Sequence, residues 1–103
     1  HDNNTTVGWF DNISESDQSG LMNYIGSVSY DGIHWDMIRL ALSSVANQAI
    51  VPFQDVLGLG ADARMNVPGV PNGNWEWRYR PEAVTSALSS RLRLMTETFG
   101  RLP

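Results

Sequence analysis

The strongest repeat of apolar residues in this chain starts at Trp35. Apolar side chains recur there at intervals of three and four residues, the spacing that places them on one face of an α-helix. The repeat predicts a helix over His34–Asn47. The apolar positions of the repeat are Trp35, Ile38, Leu42, Val45 and Ala49.

A weaker repeat predicts an earlier helix that begins near Ser14-Glu15-Ser16-Asp17. Short hydroxyl and carboxylate side chains accept hydrogen bonds from the free N–H groups of a first helical turn, and acidic residues suit the positive end of the helix dipole. The residues that follow at helical spacing form the apolar face of this helix. They are Leu21, Tyr24, Ile25 and Val28.

A third repeat predicts a helix from Pro81 to Phe99. Proline suits the first position of a helix because its missing N–H group would have no helical partner there. Gly100 follows as a residue that can end the helix in a left-handed conformation. The apolar positions are Val84, Leu88, Leu92, Met95 and Phe99.

The remaining segments predict little regular structure. We expect a loop over Thr5–Ile13, a short buried strand over Ala49–Phe53 and a long loop over Met65–Gly73, which is rich in glycine and proline. Asn74–Arg80 alternates aromatic and polar residues, which predicts an extended segment with its aromatic side chains on one side. Because one strand cannot form a sheet, the pattern resembles the tail of a larger α/β protein.

Composition favours a folded domain and excludes some partners. With 103 residues, 42% of them apolar and 17% charged, the chain is at most one ordinary domain, and we treat 1–103 as a single segment. The net charge is −4 and the basic residues, all arginines, are scattered, so neither nucleic acid nor an anionic membrane surface is an expected partner.

Cysteine and hydropathy bear on the compartment. The sequence has no cysteine, which fits a reducing compartment, and its longest apolar run is far shorter than the roughly 18 residues of a membrane helix. The sequence therefore predicts a cytoplasmic location. With two histidines far apart in the sequence and no nucleotide-binding motif, we expect neither a metal nor another cofactor.

His1 and Asp2 are the first candidates for chemistry, and two interpretations are open. An N-terminal histidine and its neighbour are often a solvated chain end. Alternatively, the pair consists of active-site groups at the carboxyl end of a strand, where barrel enzymes place their chemistry. Since no methionine precedes His1, we expect the chain to begin inside a functional loop.

The tryptophans also allow two interpretations. Core packing is expected for Trp35, in the middle of an apolar repeat. Trp9, Trp75 and Trp77 lie instead among polar residues and glycines. Flat aromatic rings beside amides and carboxylates are the groups that a sugar-binding site requires. His34, at the predicted start of a helix, is expected to have a capping or packing role.

Several longer motifs resemble one known family. They are His1–Trp9, Leu42–Ala46, Pro52–Gly60, Ala63–Gly69 and Gly73–Arg78. These segments are similar, in order, to the C-terminal part of the 4-alpha-glucanotransferases. The family, glycoside hydrolase family 77 of the alpha-amylase clan, includes the amylomaltases or disproportionating enzymes.

The resemblance implies a fold and a reaction. The expected fold is α/β, namely the C-terminal part of a TIM (β/α)8 barrel, comprising the end of strand 7, two helices, strand 8, a long loop and a final helix. The isolated chain would be mostly α-helical. The implied reaction is the transfer of α-1,4-glucan segments between maltooligosaccharides or starch-type glucans by a retaining double displacement.

The resemblance also implies site residues. Asp2 matches a third catalytic aspartate that grips the sugar and stabilises the transition state, while His1 and Asn66 match substrate-binding residues. The nucleophile and the acid/base would lie upstream, so the chain alone is expected to be inactive. Its expected partners are an α-1,4-glucan and either the remainder of its own barrel or a second copy. The rival hypothesis is a non-catalytic glycan-binding or helical interaction module.

Overall fold

Helices make up the regular structure of residues 1–29 and 31–103, which are the residues that the computed structural model describes. Two short 3₁₀ turns, Ala61–Ala63 and Pro81–Ala83, accompany them. The prediction that the isolated chain is mostly α-helical is confirmed for its regular structure, and the described residues contain no β-strand. The α-helices are α1 (Thr6–Asn12), α2 (Glu15–Ile25), α3 (Ile33–Ser43), α4 (Phe53–Val56) and α5 (Ser86–Thr98).

The core forms where α3 meets α4 and α5. Trp35 and Ile38 of α3 pack with Val56 of α4 and Met95 of α5, and each of the four is buried. Burying a large apolar side chain contributes about 1.5–3 kcal/mol, so this cluster is a main source of stability. Partly buried apolar residues surround it, namely Leu42, Val51, Phe53, Leu88, Leu92 and Phe99.

Helix α3 ends four residues earlier than predicted. The Ser44 N–H bonds to the Ala41 carbonyl at the end of the helix, and Val45, expected on the apolar face, is fully exposed. The cause lies far away in the sequence. The Arg101 guanidinium donates to the carbonyls of Leu42 at 2.7 Å and Ala46 at 2.8 Å. These carbonyls therefore have a hydrogen-bond donor without a further turn of helix.

The predicted strand over Ala49–Phe53 is wrong for this chain. Ile50 is 87% exposed, Pro52 is the N-cap of α4, and Phe53 already belongs to that helix. A strand exists only when its N–H and C=O groups bond to a neighbouring strand. The part of the chain that the structure describes supplies no second strand for this purpose.

The predicted N-terminal loop over Thr5–Ile13 is also wrong, because Thr6–Asn12 forms α1. The buried Thr5 side chain accepts a hydrogen bond from the Gly8 N–H at 3.1 Å and so caps the helix. Gly8 is required for close packing, since a Cβ atom there would lie 2.8 Å from the backbone nitrogen of Ala61. Helix α1 therefore rests directly on the first 3₁₀ turn.

The predicted helix start at Ser14 and the predicted helix stop at Gly100 are confirmed. Ser14 caps α2 through the Asp17 N–H at 3.1 Å, and Gly100 follows α5 with φ +68°. The interior boundaries shift, because Gly26 ends α2 with φ +92° and α5 begins at Ser86 after its N-cap Thr85, whereas the predicted first residue, Pro81, lies in a separate 3₁₀ turn. Tyr24, expected on the apolar face of α2, is exposed.

The long loop is confirmed, while the extended segment is only partly so. Met65–Gly73 has no helix or strand. Over Asn74–Arg80 the backbone turns at Trp75, whose φ of +63° is left-handed and breaks the alternation. Trp77 and Tyr79 keep their rings 6.0 Å apart, and Tyr79 packs edge-on against Phe53.

As for membranes, the described residues form no helix with the length and hydrophobicity needed to cross one.

Candidate functional site

The N-terminal stretch is fixed to the body of the protein by Asp55. The Thr6 N–H donates to Asp55 Oδ1 at 2.7 Å, and the Thr6 hydroxyl donates to Oδ2 at 2.9 Å. Asp55 is only 8% exposed. Since Thr6 is the first residue of α1, this carboxylate also faces the positive end of that helix. Two charge-assisted hydrogen bonds thus join α1 to α4.

Asp2 meets Asn66 across the chain. The Asn66 side-chain amide donates to Asp2 Oδ1 at 2.7 Å, although the two residues are 64 positions apart. The His1 Nε2 lies 3.2 Å from the same oxygen. The side chains of His1 and Asp2 are 57% and 60% exposed. The structure therefore brings all three predicted site residues together on an accessible surface.

Trp75 forms a wall beside His1. The indole and imidazole ring centroids are 4.8 Å apart with an interplanar angle of 43°. Trp75 holds a left-handed φ of +63°, which is costly for a bulky residue, and its N–H donates to the Met65 carbonyl at 2.6 Å. Strained backbone persists where surrounding contacts over-determine it, and such positions cluster at binding sites.

A pocket of about 270 Å³ opens between the N-terminal stretch, the start of α4 and the long loop. Asp2 and Asn66 do not line it but are chain neighbours of residues that do. Its lining combines an aromatic ring with amide, carboxylate, guanidinium and imidazole groups, a mixture suited to a polyhydroxylated ligand. The lining residues are His1, Asn3, Asn4, Thr5, Pro52, Gln54, Asp55, Arg64, Met65 and Trp75.

The tryptophans divide as the sequence predicts. Trp35 is buried in the core, whereas Trp9 and Trp75 are exposed and Trp77 is partly buried. Trp9 lines a second pocket with Asn3, Asn4, Thr6 and Met37. Trp75 shares the first pocket with the predicted site residue His1.

His34 has a packing role. Its ring lies 5.7 Å from the Trp35 ring and fits against two glycines, because a Cβ atom at Gly32 or Gly58 would come within 2.8 Å of it. Burial, and next the nearby Arg91 charge, lower the pKa of His34 below its ordinary value of 6.5. Within residues 1–29 and 31–103, no group of three or more His, Asp or Glu side chains is placed to hold a metal ion.

Comparison with known proteins identifies the family. The family model described as "4-alpha-glucanotransferase" matches residues 1–85, which is most of the chain. The chain belongs to the 4-alpha-glucanotransferase family, a family of enzymes.

Curated relatives with this name align over nearly the whole chain. A 4-alpha-glucanotransferase of Synechocystis sp. is 57% identical over 98% of this chain, which corresponds to 20% of that protein. A chloroplastic/amyloplastic 4-alpha-glucanotransferase of Arabidopsis thaliana is 43% identical over 99% of the chain and 18% of its own length. The enzyme of Thermus thermophilus is 38% identical over 99% of the chain and 21% of its own length. The chain thus spans about a fifth of these relatives.

A solved structure shares the fold. The amylomaltase from Streptococcus agalactiae in complex with acarbose superposes on the whole of this chain with a TM-score of 0.95 and 32% identity, again over 21% of its own length. The helical segment described above is therefore a piece of the amylomaltase architecture.

Two residues of this 4-alpha-glucanotransferase segment are not indicated as site residues by the sequence. Asp55 and Arg64 both contact the N-terminal stretch. Asp55 and Arg64 lie in motifs that carry the family resemblance, which was the available signal. Nothing in the local sequence indicates that their partners lie 49 and 62 positions away.

Proposed function

We propose that this chain is part of a 4-alpha-glucanotransferase that moves α-1,4-glucan segments between maltooligosaccharides or starch-type glucans by a retaining double displacement. One observation carries the proposal. The Asn66 amide bonds to the Asp2 carboxylate at 2.7 Å, so two residues that the family resemblance assigns to contact with the glucan form one exposed polar cluster.

The chemistry of these groups suits a sugar in its transition state. A retaining double displacement passes through species in which the sugar ring carries positive charge. The Asp2 carboxylate is negative and exposed, and it can accept hydrogen bonds from sugar hydroxyls. Because Asn66 orients one carboxylate oxygen, Asp2 is partly preorganised for charge stabilisation. His1, beside the same oxygen, adds a second group that can contact the sugar.

We place the chain in the C-terminal part of a (β/α)8 barrel. The exposure of Ile50 supports this placement, because the remainder of a barrel would cover that side chain. The remainder of the barrel, or a second copy of the chain, would supply this cover along with the nucleophile and the acid/base. The chain alone is then inactive.

The proposed substrate is an α-1,4-glucan, and the chemistry of the site implies no cofactor. The pocket composition supports a sugar ligand, as does the likeness to an amylomaltase in complex with acarbose. We retain the cytoplasm as the proposed compartment, although the Arabidopsis relative is named as chloroplastic/amyloplastic.

The decisive experiment compares Asp2→Asn with its parent in the full-length polypeptide. Incubation of the parent with maltotriose is expected to yield glucose and longer maltooligosaccharides. Asp2→Asn should lower kcat by about 10²–10³-fold, the cost of losing one group that stabilises transition-state charge. Product chromatography measures both.

Asp17→Asn, at an exposed position on α2, is the matched control and should retain parental kcat. Near-parental turnover in Asp2→Asn would contradict the role of Asp2. Glucan binding without transfer by the full-length parent would favour the binding-module hypothesis. Glucose release from maltotriose by the isolated 103-residue chain would contradict its predicted inactivity.

A further inference from the structure

The Arg64 side chain connects the two arms of the site. Its Nη2 donates to the Asp2 main-chain carbonyl at 2.9 Å, and its Nε donates to the Asn66 main-chain carbonyl at 3.2 Å. One guanidinium thus holds the backbone of both residues whose side chains meet at 2.7 Å. The three contacts form a closed loop of hydrogen bonds through Asp2, Arg64 and Asn66.

Arg64 itself is held on both sides. The Ala63 carbonyl accepts a hydrogen bond from the Gln54 amide at 3.3 Å, and the Met65 carbonyl accepts one from the Trp75 N–H at 2.6 Å. The Arg64 N–H bonds to the Ala61 carbonyl at 3.2 Å, which closes the 3₁₀ turn. The backbone that carries the guanidinium is therefore fixed before the side chain reaches Asp2.

The arm that carries Asp2 needs such a contact. The nearest other hydrogen bond from the main chain of this arm to the body of the protein is at Thr6, where Asp55 accepts two hydrogen bonds. Between Asp2 and Thr6 the chain crosses Asn3 and Asn4, which leave several free backbone dihedrals. Without the Arg64 contact, the arm at Asp2 would be held only through side chains, namely the Asp2–Asn66 hydrogen bond and the His1–Trp75 ring contact.

Arginine suits this position better than lysine. Its planar guanidinium carries donors in a fixed fork and can satisfy two acceptors in different directions without losing its charge. A lysine ammonium is a flexible point charge, so it can reach one carbonyl but does not fix the angle between two. Main-chain carbonyls as acceptors also make the contact insensitive to side-chain changes at Asp2 and Asn66.

We propose that Arg64 is a positioning residue that fixes the Asp2 carboxylate relative to Asn66. The effect on catalysis rests on the proposed function, because Asp2 must act on substrate for its position to affect turnover. The geometric part, an Arg64 tether on the N-terminal arm, is testable without any assumption about activity.

The experiment uses Arg64→Lys and Arg64→Ala in the full-length polypeptide, with Arg93→Ala at an exposed position on α5 as the control. Amide hydrogen exchange is measured by mass spectrometry for peptides that cover residues 1–9 and 86–98. Both Arg64 variants should exchange several-fold faster in 1–9 and as the parent does in 86–98, whereas Arg93→Ala should match the parent in 1–9.

Kinetics with maltooligosaccharides test the second part. Arg64→Ala should lower kcat by up to about 10²-fold, as small misplacements of catalytic groups do, with KM close to the parental value. Arg64→Lys should fall between Arg64→Ala and the parent. Free guanidinium ion should restore part of the kcat of Arg64→Ala, a rescue that general destabilisation would not show.

Each outcome separates the two proposals. If amide hydrogen exchange in residues 1–9 is unchanged in the Arg64 variants, or is faster throughout the protein, Arg64 does not tether the N-terminal arm. Selective exchange with parental kcat in an active protein overturns the positioning role. A parent without glucan transfer contradicts the proposed function, while the exchange data still decide whether Arg64 holds the arm.

Discussion

The core and the site of this segment are built from different interactions. The core joins Trp35 and Ile38 to Val56 and Met95 through apolar contacts that exclude water. The site joins Asp2 to Asn66 and Arg64 through hydrogen bonds on an exposed surface, and two of those bonds end on main-chain carbonyls. The core is closely packed and excludes water, whereas the site is exposed to solvent and is held by hydrogen bonds.

The difference separates stability from function. The free energy gained by apolar burial is roughly proportional to the buried area and does not depend on direction. We therefore expect a core variant to change mainly the free energy of unfolding. Hydrogen bonds at an exposed site contribute little net stability, but they set the angles at which Asp2 and Asn66 meet a ligand. We therefore expect core and site substitutions to be distinguishable by unfolding and kinetic measurements.

The largest stability effect is expected from Trp35→Ala. Removing a buried aromatic side chain costs about 3–5 kcal/mol, and Trp35 also packs under the Arg91 guanidinium at 4.2 Å. Urea unfolding of the full-length polypeptide measures the loss. Kinetics at low temperature, normalised to the folded fraction, should show an unchanged kcat.

Leu94→Ala is the matched control for this core variant. Leu94 lies on α5 next to Met95 but is 65% exposed, so its truncation should change the free energy of unfolding by no more than about 0.5 kcal/mol. Equal losses in the two variants would contradict the assignment of the core.

An intermediate effect is expected from Gly8→Ala, which acts where the two regions meet. The added Cβ would lie 2.8 Å from the Ala61 nitrogen and 2.7 Å from Asn4 Oδ1. The overlap should push α1 away from the first 3₁₀ turn and cost about 1–3 kcal/mol. Because α1 carries the N-terminal arm, kcat should fall as well, which unfolding and transfer assays together detect.

Gly20→Ala is the control, since Gly20 lies inside α2 with nothing within 4 Å of an added Cβ. Alanine there should stabilise the helix by about 0.5–1 kcal/mol. If Gly8→Ala were equally stabilising, α1 would not rest on Ala61 as described.

The smallest effect is expected from pH and His34. Burial lowers the pKa of His34 in the folded protein, so the unfolded chain binds more protons below the ordinary histidine pKa. Stability is then full above about pH 6.5 and declines as the pH falls toward the lowered folded pKa. The nearby acids Asp55, Asp36 and Asp31 limit the shift, since each raises that pKa.

Thermal unfolding of His34→Gln and its parent, from about pH 8 to about pH 5.5 across the ordinary histidine pKa, checks this effect. The parent should lose more melting temperature on acidification than the variant does. Identical pH profiles would show that His34 does not contribute to acid sensitivity.

What the sequence predicts follows the same division. The apolar repeat correctly placed Trp35 and Ile38 in the core, and the cap signal at Ser14 and stop signal at Gly100 were confirmed. These features are local, because spacing and backbone chemistry over a few residues determine them. The strand at 49–53 failed because pairing requires a partner outside the segment.

The site was predictable only in part. His1, Asp2 and Asn66 came from family resemblance, and the structure brings them together. The contacts of Arg64 and Asp55 could not be predicted, since acceptors such as the Asp2 carbonyl are present in every residue and leave no mark in the sequence. A single threonine, Thr5, was likewise too weak a signal for α1.

The contact between Arg101 and the end of α3 has a consequence for biosynthesis. Its guanidinium donates to the carbonyls of Leu42, Ser44 and Ala46 at 2.7, 3.2 and 2.8 Å. Arg101 is added to the growing chain 59 residues after Leu42, so these hydrogen bonds cannot form until almost the whole segment has been synthesised. The end of α3 therefore reaches its final form only after residue 101 is available.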